Sequence, residues 1–248
     1  MNLVIFVEHH QYWRKEGLMK KNQNSSVAVV IAALNEEEGI GPTIEELQKF
    51  LVDPHLLVID GWSADRTVEI AKNMGADILL QEREGKGNAV GQAVNQIDSY
   101  TRYVVFIDAD FTYPAEYIPK MIEVLEQNPD VGMVIGNRFG DKPSYSRAMS
   151  NVFYIGNRFL AFAQHVVNGI KLDDPLSGLR IVRSEILKGW KPRSESFDVE
   201  AEMNYQVERK GYRITEIPIV YRPRLGQKKL KLKHGLIILR RILVESIR

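Results

Sequence analysis

Hydrophobic and polar positions alternate along the chain in blocks of two kinds. Val27 to Ala33 (VAVVIAA) is an unbroken apolar, β-branched run, as expected for a parallel strand buried on both faces. After the acidic stretch Leu34-Asn35-Glu36-Glu37-Glu38-Gly39, a helix is predicted from about Pro42 to Leu51, with proline in its first turn. Strands are predicted at Leu56–Asp60, Asp77–Leu80, Tyr103–Asp108 and Val131–Gly136. Helical spacing marks the segments between them, near Asp65–Met74, from Gly87 through Ile97, and near Ala115–Gln127. This β-α-β alternation specifies an α/β fold with a doubly wound, mostly parallel sheet.

The second half is less regular. Ser144–Val167 carries Phe, Tyr, Ile and Ala at helical spacing and predicts a long helix. Asp173 to Gly178 reads as a loop, Val199–Arg209 as a helix, Tyr212–Tyr221 as a strand, and the chain from about His234 as a final helix. Three segments are expected: an extension over 1–24, a main domain over 25–232, and a basic amphipathic helix over 233–248.

Composition narrows the function classes. The chain has 248 residues, 44% hydrophobic and 26% charged, ordinary for a globular protein. It has no cysteine, which excludes disulfides, iron–sulfur clusters, Cys-based zinc sites and Cys nucleophiles. The five histidines show no metal-ligand spacing beyond the adjacent pair His9-His10. The net charge of +1 hides an asymmetry. From Tyr221 onward nine Lys/Arg stand against Glu245, a surplus of +8, leaving 24 basic against 31 acidic residues, or −7, in the rest. Such a tail suits a phosphate ligand or an anionic membrane surface. A −7 body without a recognisable nucleic-acid module argues against RNA or DNA. No run approaches the roughly 20 apolar residues that cross a bilayer, and the start lacks the basic flank of a secretory signal. The expected location is cytoplasmic, peripheral on the cytoplasmic face of a membrane.

Polar clusters follow three of the strands: Asn35–Glu38, Asp60–Asp65 and Asp108–Asp110. In doubly wound sheets the ligand crevice lies beyond these strand ends. Asp108 and Asp110, two apart in extended chain, point the same way and offer hard oxygens to Mg²⁺ or Mn²⁺, which would bridge a diphosphate. Taken alone, a DxD triplet is more often a solvated turn; its place after a buried strand, level with two other acidic loops, favours the ligand site. Asp60, at its strand end, is placed to accept hydrogen bonds from a base or ribose, while Ser63 or Asp65 caps the next helix. Gly85-Lys86-Gly87 suits an anion, with glycines baring backbone N–H groups and Lys86 adding charge at a helix start. It matches neither GxxxxGK[ST] nor GxGxxG, so P-loop and dinucleotide readings lose support.

As a set, these motifs resemble the family 2 glycosyltransferases, and within them the dolichyl-phosphate (polyprenyl-phosphate) mannose and glucose synthases. The matching residues are Ala33-Leu34-Asn35-Glu36-Glu37, Asp60 with Ser63-Ala64-Asp65 and Thr67, Gly85-Lys86-Gly87, Asp108-Ala109-Asp110, Gly136-Asn137-Arg138, Asp174 with Ser177-Gly178-Leu179-Arg180, and Glu216–Arg222 with Gly226–Leu230. The resemblance covers roughly residues 27–232 and implies a nucleotide-sugar-binding glycosyltransferase A-type (Rossmann-like) fold.

It further implies a donor site of Leu34, Glu36, Asp60, Lys86, Asp108, Ala109 and Asp110, with Asp108 and Asp110 holding the metal. Asp108, Asp110 and Arg138 would be the catalytic residues. Arg147, Arg180, Arg222, Arg224 and Lys229 would hold an acceptor phosphate, for which guanidinium forks are well shaped. The sequence departs from the family pattern where DDGS is Asp60-Gly61-Trp62-Ser63, where the proline before the Asn-Glu pair is Ala32, and where a glutamine two past the DxD is Thr112.

Charge suggests the mechanism. Breaking a sugar–diphosphate bond releases negative charge that a divalent ion and Lys/Arg can stabilise. A lipid phosphate is already an anionic nucleophile, so direct displacement with inversion needs no strong general base. Two alternatives remain at this point: a transferase with a small soluble acceptor such as 3-phosphoglycerate, and an inactive nucleotide-sugar-binding protein. In the last helix Leu236, Leu239, Leu243 and Ile247 form a stripe widened by Ile237, Ile238, Ile242 and Val244. It suits an interfacial membrane helix, core packing or a homodimer contact.

Overall fold

The computed structural model describes residues 26–140 and 152–247. The expected extension and Arg147 lie outside them. In chain order the elements are β1 (Val27–Ala33), α1 (Glu37–Phe50), β2 (His55–Asp60), α2 (Thr67–Asn73), β3 (Asp77–Leu80), α3 (Lys86–Val94), β4 (Tyr103–Asp108), a 3₁₀ turn (Ala115–Tyr117) leading into α4 (Ile118–Gln127), and β5 (Val131–Asn137). Then come α5 (Val152–Asn168), β6 (Arg180–Arg183), α6 (Ser184–Leu187), α7 (Val199–Arg209), β7 (Arg213–Pro218) and α8 (Lys233–Glu245).

The strands form one sheet in the order β3-β2-β1-β4-β6-β5-β7. β6 runs antiparallel to both its neighbours, and every other pairing is parallel. From β1 the chain winds outward through β2 and β3, then returns to add β4 on the other side. The crevice between the C-terminal ends of β1 and β4 is therefore the switch point. Register puts the ends level: Ala33 pairs with Asp60, and Ala32 with Asp108.

Alternate residues of the buried strands serve two helical layers. Val29, Ile31 and Ala33 pack with Ile40, Ile44 and Leu47 of α1 and with Met121 and Leu125 of α4. Val30, Leu57, Val104 and Phe106 pack with Ala89, Val90 and Ala93 of α3 and with Val199, Met203 and Val207 of α7.

Three sequence expectations change. α1 begins at Glu37, so Pro42 sits inside it rather than in its first turn. The earlier start is set by the neighbouring turn: Glu36 N–H donates to Thr67 Oγ1 and Glu37 N–H to Asp65 Oδ2, while Glu37 and Glu38 favour the positive end of the dipole. Strand β6 was absent from the sequence reading because Arg-Ile-Val-Arg is short and flanked by charge, yet it wedges between β4 and β5. The final helix is built into the fold. Ile238 and Ile242 are buried with Leu160 of α5 and Ala201 of α7, and Arg241 pairs with Asp198 (2.9 Å) and Glu245 (3.2 Å).

Candidate active site

The first two acidic loops are knitted into one surface. Asn35 N–H donates to Ser63 Oγ (2.8 Å), and Ala64 N–H donates to Asn35 Oδ1 (2.8 Å). Asp60 lies buried at the crevice floor, with one oxygen on Ser63 N–H (2.9 Å) and the other on Ser63 Oγ (2.5 Å). Asp65, not Ser63, serves the start of α2, accepting from Thr67 N–H (3.0 Å). Each strand-end turn holds a non-glycine residue in the left-handed region: Asn35 (φ 48°), Trp62 (φ 66°) and Phe111 (φ 63°). Strained backbone of this kind costs about 1–3 kcal/mol per residue and concentrates at functional edges. Leu34 and Trp62 are half exposed here, the indole N–H held by Gln81 O (2.9 Å).

The glycine loop has a different role from the expected one. Lys86 does not face an open anion site: its Nζ lies between Asp108 Oδ1 (2.6 Å) and Glu200 Oε1 (2.7 Å). Burial opposes its charge, but the two carboxylates outweigh burial and raise its pKa. Asp108 is half-buried, and although desolvation works against its charge, Lys86 holds its carboxyl below the ordinary value. The glycines give room for neighbouring backbone. A Cβ at Gly85 or Gly87 would collide with the carbonyls of Glu195 or Ser194, and one at Gly178 with Asp108 Oδ2.

Asp110 is the second half of the pair. Its Oδ1 accepts from Thr112 N–H (3.1 Å) and Thr112 Oγ1 (2.6 Å), so Thr112, which replaces the family's glutamine, orients the carboxylate. Oδ2 is taken by Arg224, whose other terminal nitrogen holds Glu36 Oε1. Lys229 Nζ reaches the same Glu36 oxygen (2.5 Å) and Asn35 O (3.0 Å). Burial, then the charge of Asp108, pushes the Asp110 carboxyl up, and burial raises Glu36 despite its two cations. Gly39 lets α1 lean on this loop, since a Cβ there would sit 2.5 Å from Ala109 O.

The expected phosphate-binding set divides. Arg224 and Lys229 are brought to the donor-side acids. Arg222 turns away and grips Glu46 with both terminal nitrogens (2.7 and 3.0 Å), its guanidinium over Phe111. Arg138 is clamped on buried Asp174 by its side chain (2.7 Å twice) and its own N–H (3.0 Å). Asn157 of α5 completes that carboxylate (3.2 Å). Arg180 is corrected from ligand to scaffold. It is 1% exposed, and its nitrogens are engaged by the carbonyls of Pro175, Ser177 and Glu200 and by Asn204 Oδ1. A strand residue facing inward cannot offer its fork to a phosphate.

Sequence reasoning missed Glu200, Thr112 and the positioning role of Asp174. It also passed over Lys228, whose Nζ lies 3.2 Å from the centre of the Phe153 ring. Burial and then the charges of Arg138 and Arg224 lower its pKa. The Asp174–Ser177–Gly178–Arg180 spacing was a signal for a second buried charge, but not for its partner.

The donor set fits a hard divalent ion. Asp108 and Asp110 supply carboxylate oxygens, and Asp110 is held against its own charge. Among the described residues no three His, Asp or Glu side chains converge on one point, so diphosphate oxygens and water would have to complete the coordination. Two buried polar atoms beside the pair, Glu36 Oε2 and Arg224 Nε, have no partner. One accepts and one donates, matching a ribose hydroxyl and a phosphate oxygen.

A mixed sheet with acids converging at its switch point and cations folded over them defines a glycosyltransferase of the A-type fold. The chain belongs to glycosyl transferase family 2, whose model matches residues 28–190. It is 35% identical to the dolichyl-phosphate hexose transferase of Haloferax volcanii, over 82% of this chain and 86% of that protein. It is also 34% identical to glycosyltransferase AglJ of the same organism, over 80% of this chain and 64% of that one. Among solved structures it resembles glucosyl-3-phosphoglycerate synthase of Mycobacterium tuberculosis in complex with Mn²⁺, UDP and phosphoglyceric acid. There the TM-score is 0.70 at 23% identity, covering 90% of this chain and 79% of that one. The expected family and fold are thus borne out.

Proposed function

We infer that this enzyme transfers a hexose from UDP-glucose or GDP-mannose to a polyprenyl (dolichyl) phosphate, with inversion at the anomeric carbon. Asp108 and Asp110 would hold Mg²⁺ or Mn²⁺, which supplies positive charge to the departing diphosphate. Glu36 Oε2 accepts from a ribose hydroxyl, and Arg224 Nε donates to a phosphate oxygen. Lys228 and Arg138 attract the acceptor phosphate, whose oxygen attacks C1 as the bond to the diphosphate breaks. That nucleophile is anionic at neutral pH, so no side chain has to take a proton from it.

The observation that carries the lipid acceptor is an apolar surface adjoining the site. α5 starts where Lys228 meets Phe153 and Asn157 meets Asp174, and it exposes Ile155, Phe159, Phe162 and Val166 at helical spacing. α8, packed beside it, exposes Leu236 (74%) and Leu243, with Ile247 exposed just past its end. Lys231, Lys233 and Arg240 are exposed on α8 or just before it, fitting an anionic bilayer at about 1 kcal/mol per cation. Among the described residues no helix is long and apolar enough to cross one. Four of the nine tail cations (Arg222, Arg224, Lys229 and Arg241) are used internally, so the apolar face must provide much of the attachment. The names of the Haloferax relative and the Mycobacterium structure mention a dolichyl-phosphate and a 3-phosphoglycerate compound respectively. The exposed face favours the lipid.

The test supplies labelled UDP-glucose or GDP-mannose with Mn²⁺ to protein mixed with polyprenyl phosphate in anionic liposomes, beside a tube holding 3-phosphoglycerate. Label should become lipid-extractable, and Phe159→Ser with Phe162→Ser should weaken liposome co-sedimentation. Label passing only to the soluble acceptor would reject the lipid. A dimer that survives dilution, with no liposome binding, would assign the face to a second copy.

A further inference from the structure

We propose that Arg224 is a resident counter-ion in the donor site, which excludes a divalent ion until a nucleoside diphosphate arrives, so that metal and nucleotide load together. The inference rests on the reading of Asp108 and Asp110 as the metal pair.

Three of the four oxygens of that pair are occupied. Asp110 Oδ1 carries two hydrogen bonds from Thr112, and Asp108 Oδ1 carries Lys86 at 2.6 Å. Asp110 Oδ2 is held by Arg224. Thr112 and Lys86 are anchored from within the sheet and its loops. Arg224 comes from the extended strap after β7. Of the three groups it is the one farthest in sequence from its carboxylate, 114 residues against 22 for Lys86 and 2 for Thr112.

The strap is tied down at regular points. Arg222 N–H donates to Thr112 O (3.0 Å), Leu225 N–H donates to Asp110 O (3.1 Å), and Lys229 Nζ holds Glu36. Arg224 thus spans Asp110 and Glu36, with its positive charge against the Asp110 oxygen that a divalent ion would need. Counting the cluster, four carboxylates (Glu36, Asp108, Asp110, Glu200) face three cations (Lys86, Arg224, Lys229). A net charge of −1 is weak attraction for a bare divalent ion while the guanidinium stays.

A nucleoside diphosphate changes both sides of this balance. It adds negative charge, and its oxygens give the guanidinium another partner. The unpartnered Arg224 Nε, buried beside the equally unpartnered Glu36 Oε2, is already set to take such an oxygen. Moving the guanidinium from carboxylate to phosphate frees Asp110 Oδ2, and metal binding then follows nucleotide binding. Reciprocal coupling is required by linkage: what raises metal affinity in the presence of nucleotide raises nucleotide affinity in the presence of metal.

The experiment titrates Mn²⁺ into the full chain and reads free Mn²⁺ by electron paramagnetic resonance, with and without UDP. Wild-type protein should take up Mn²⁺ weakly alone and at least about tenfold more tightly with UDP. Arg224→Gln should bind Mn²⁺ alone about tenfold more tightly than wild type and lose most of the UDP-dependent gain. Lys229→Gln touches Glu36 but not Asp110, so its Mn²⁺-alone affinity should move less than about threefold. Circular dichroism confirms that each variant is folded. Mn²⁺ uptake that needs Asp110 yet is unchanged by Arg224→Gln overturns the proposal alone. Uptake equal in wild type and Asp110→Asn overturns the metal-pair reading, and the proposal with it.

Discussion

The two halves of the sheet deliver opposite charges to one crevice by different means. Strands β2, β1 and β4 bring acids on short turns at their own ends, and two of these acids are oriented by a residue two or three positions away, Asp60 by Ser63 and Asp110 by Thr112. The β6-β5-β7 half brings cations on a strap whose partners lie far off in sequence: 114 residues from Arg224 to Asp110 and 193 from Lys229 to Glu36. The first arrangement is rigid and set locally. The second exists only after the whole sheet has formed, and it is the part able to exchange partners.

If the acid half carries the chemistry, Asp110→Asn should have the largest effect. We expect transfer to fall by on the order of 10²–10³ with the fold intact, as for loss of one electrostatic contact to a developing charge. Near-normal product formation by the folded variant would shift the chemistry away from this pair.

The next effect tests whether Arg180 belongs to the scaffold of the cation half. Replacing it with Met removes its hydrogen bonds to four buried acceptors, and each hydrogen bond to a charged group contributes about 1.5–3 kcal/mol. Arg180→Met should lower the thermal midpoint clearly, and the protein that remains folded should keep its KM for acceptor. A raised acceptor KM at unchanged stability would return Arg180 to the phosphate site.

The smallest effect concerns pH. Folding raises the pKa of Glu36 above 4.5 and that of Asp110 above 3.8, while Asp108 goes below 3.8. A raised acid holds its proton more tightly folded than unfolded, so its contribution to stability declines as pH climbs through the window above its ordinary value. Asp108 has the opposite sign and loses stabilisation only as pH falls below the ordinary range. Affinity for UDP with Mn²⁺ should therefore begin to fall, on acidification, at a pH above that of ordinary carboxylates. Calorimetric titration from pH 7 downward would detect it. A profile that declines only at or below the ordinary range would mean that the bound complex does not need Glu36 and Asp110 ionised.

The pattern of residues alone determined the alternating α/β architecture, the ends of β1, β2 and β4, and the acids that stand there. Each depends on a short apolar run followed by a polar turn, which neighbouring residues specify. Tertiary structure alone decided that α1 starts at Glu37, because its cap comes from Asp65 and Thr67 in another loop. It decided that a short Arg-flanked segment becomes the central antiparallel strand β6, because only there can its two neighbours pair with it. It also decided which cations meet ligand and which meet protein. Lys86, Arg180 and Arg222 all read as phosphate binders until Glu200, the carbonyls near Ser177, and Glu46 come within reach. A basic side chain looks the same in sequence whatever its partner, and in these three the partner is supplied by segments that only folding brings together.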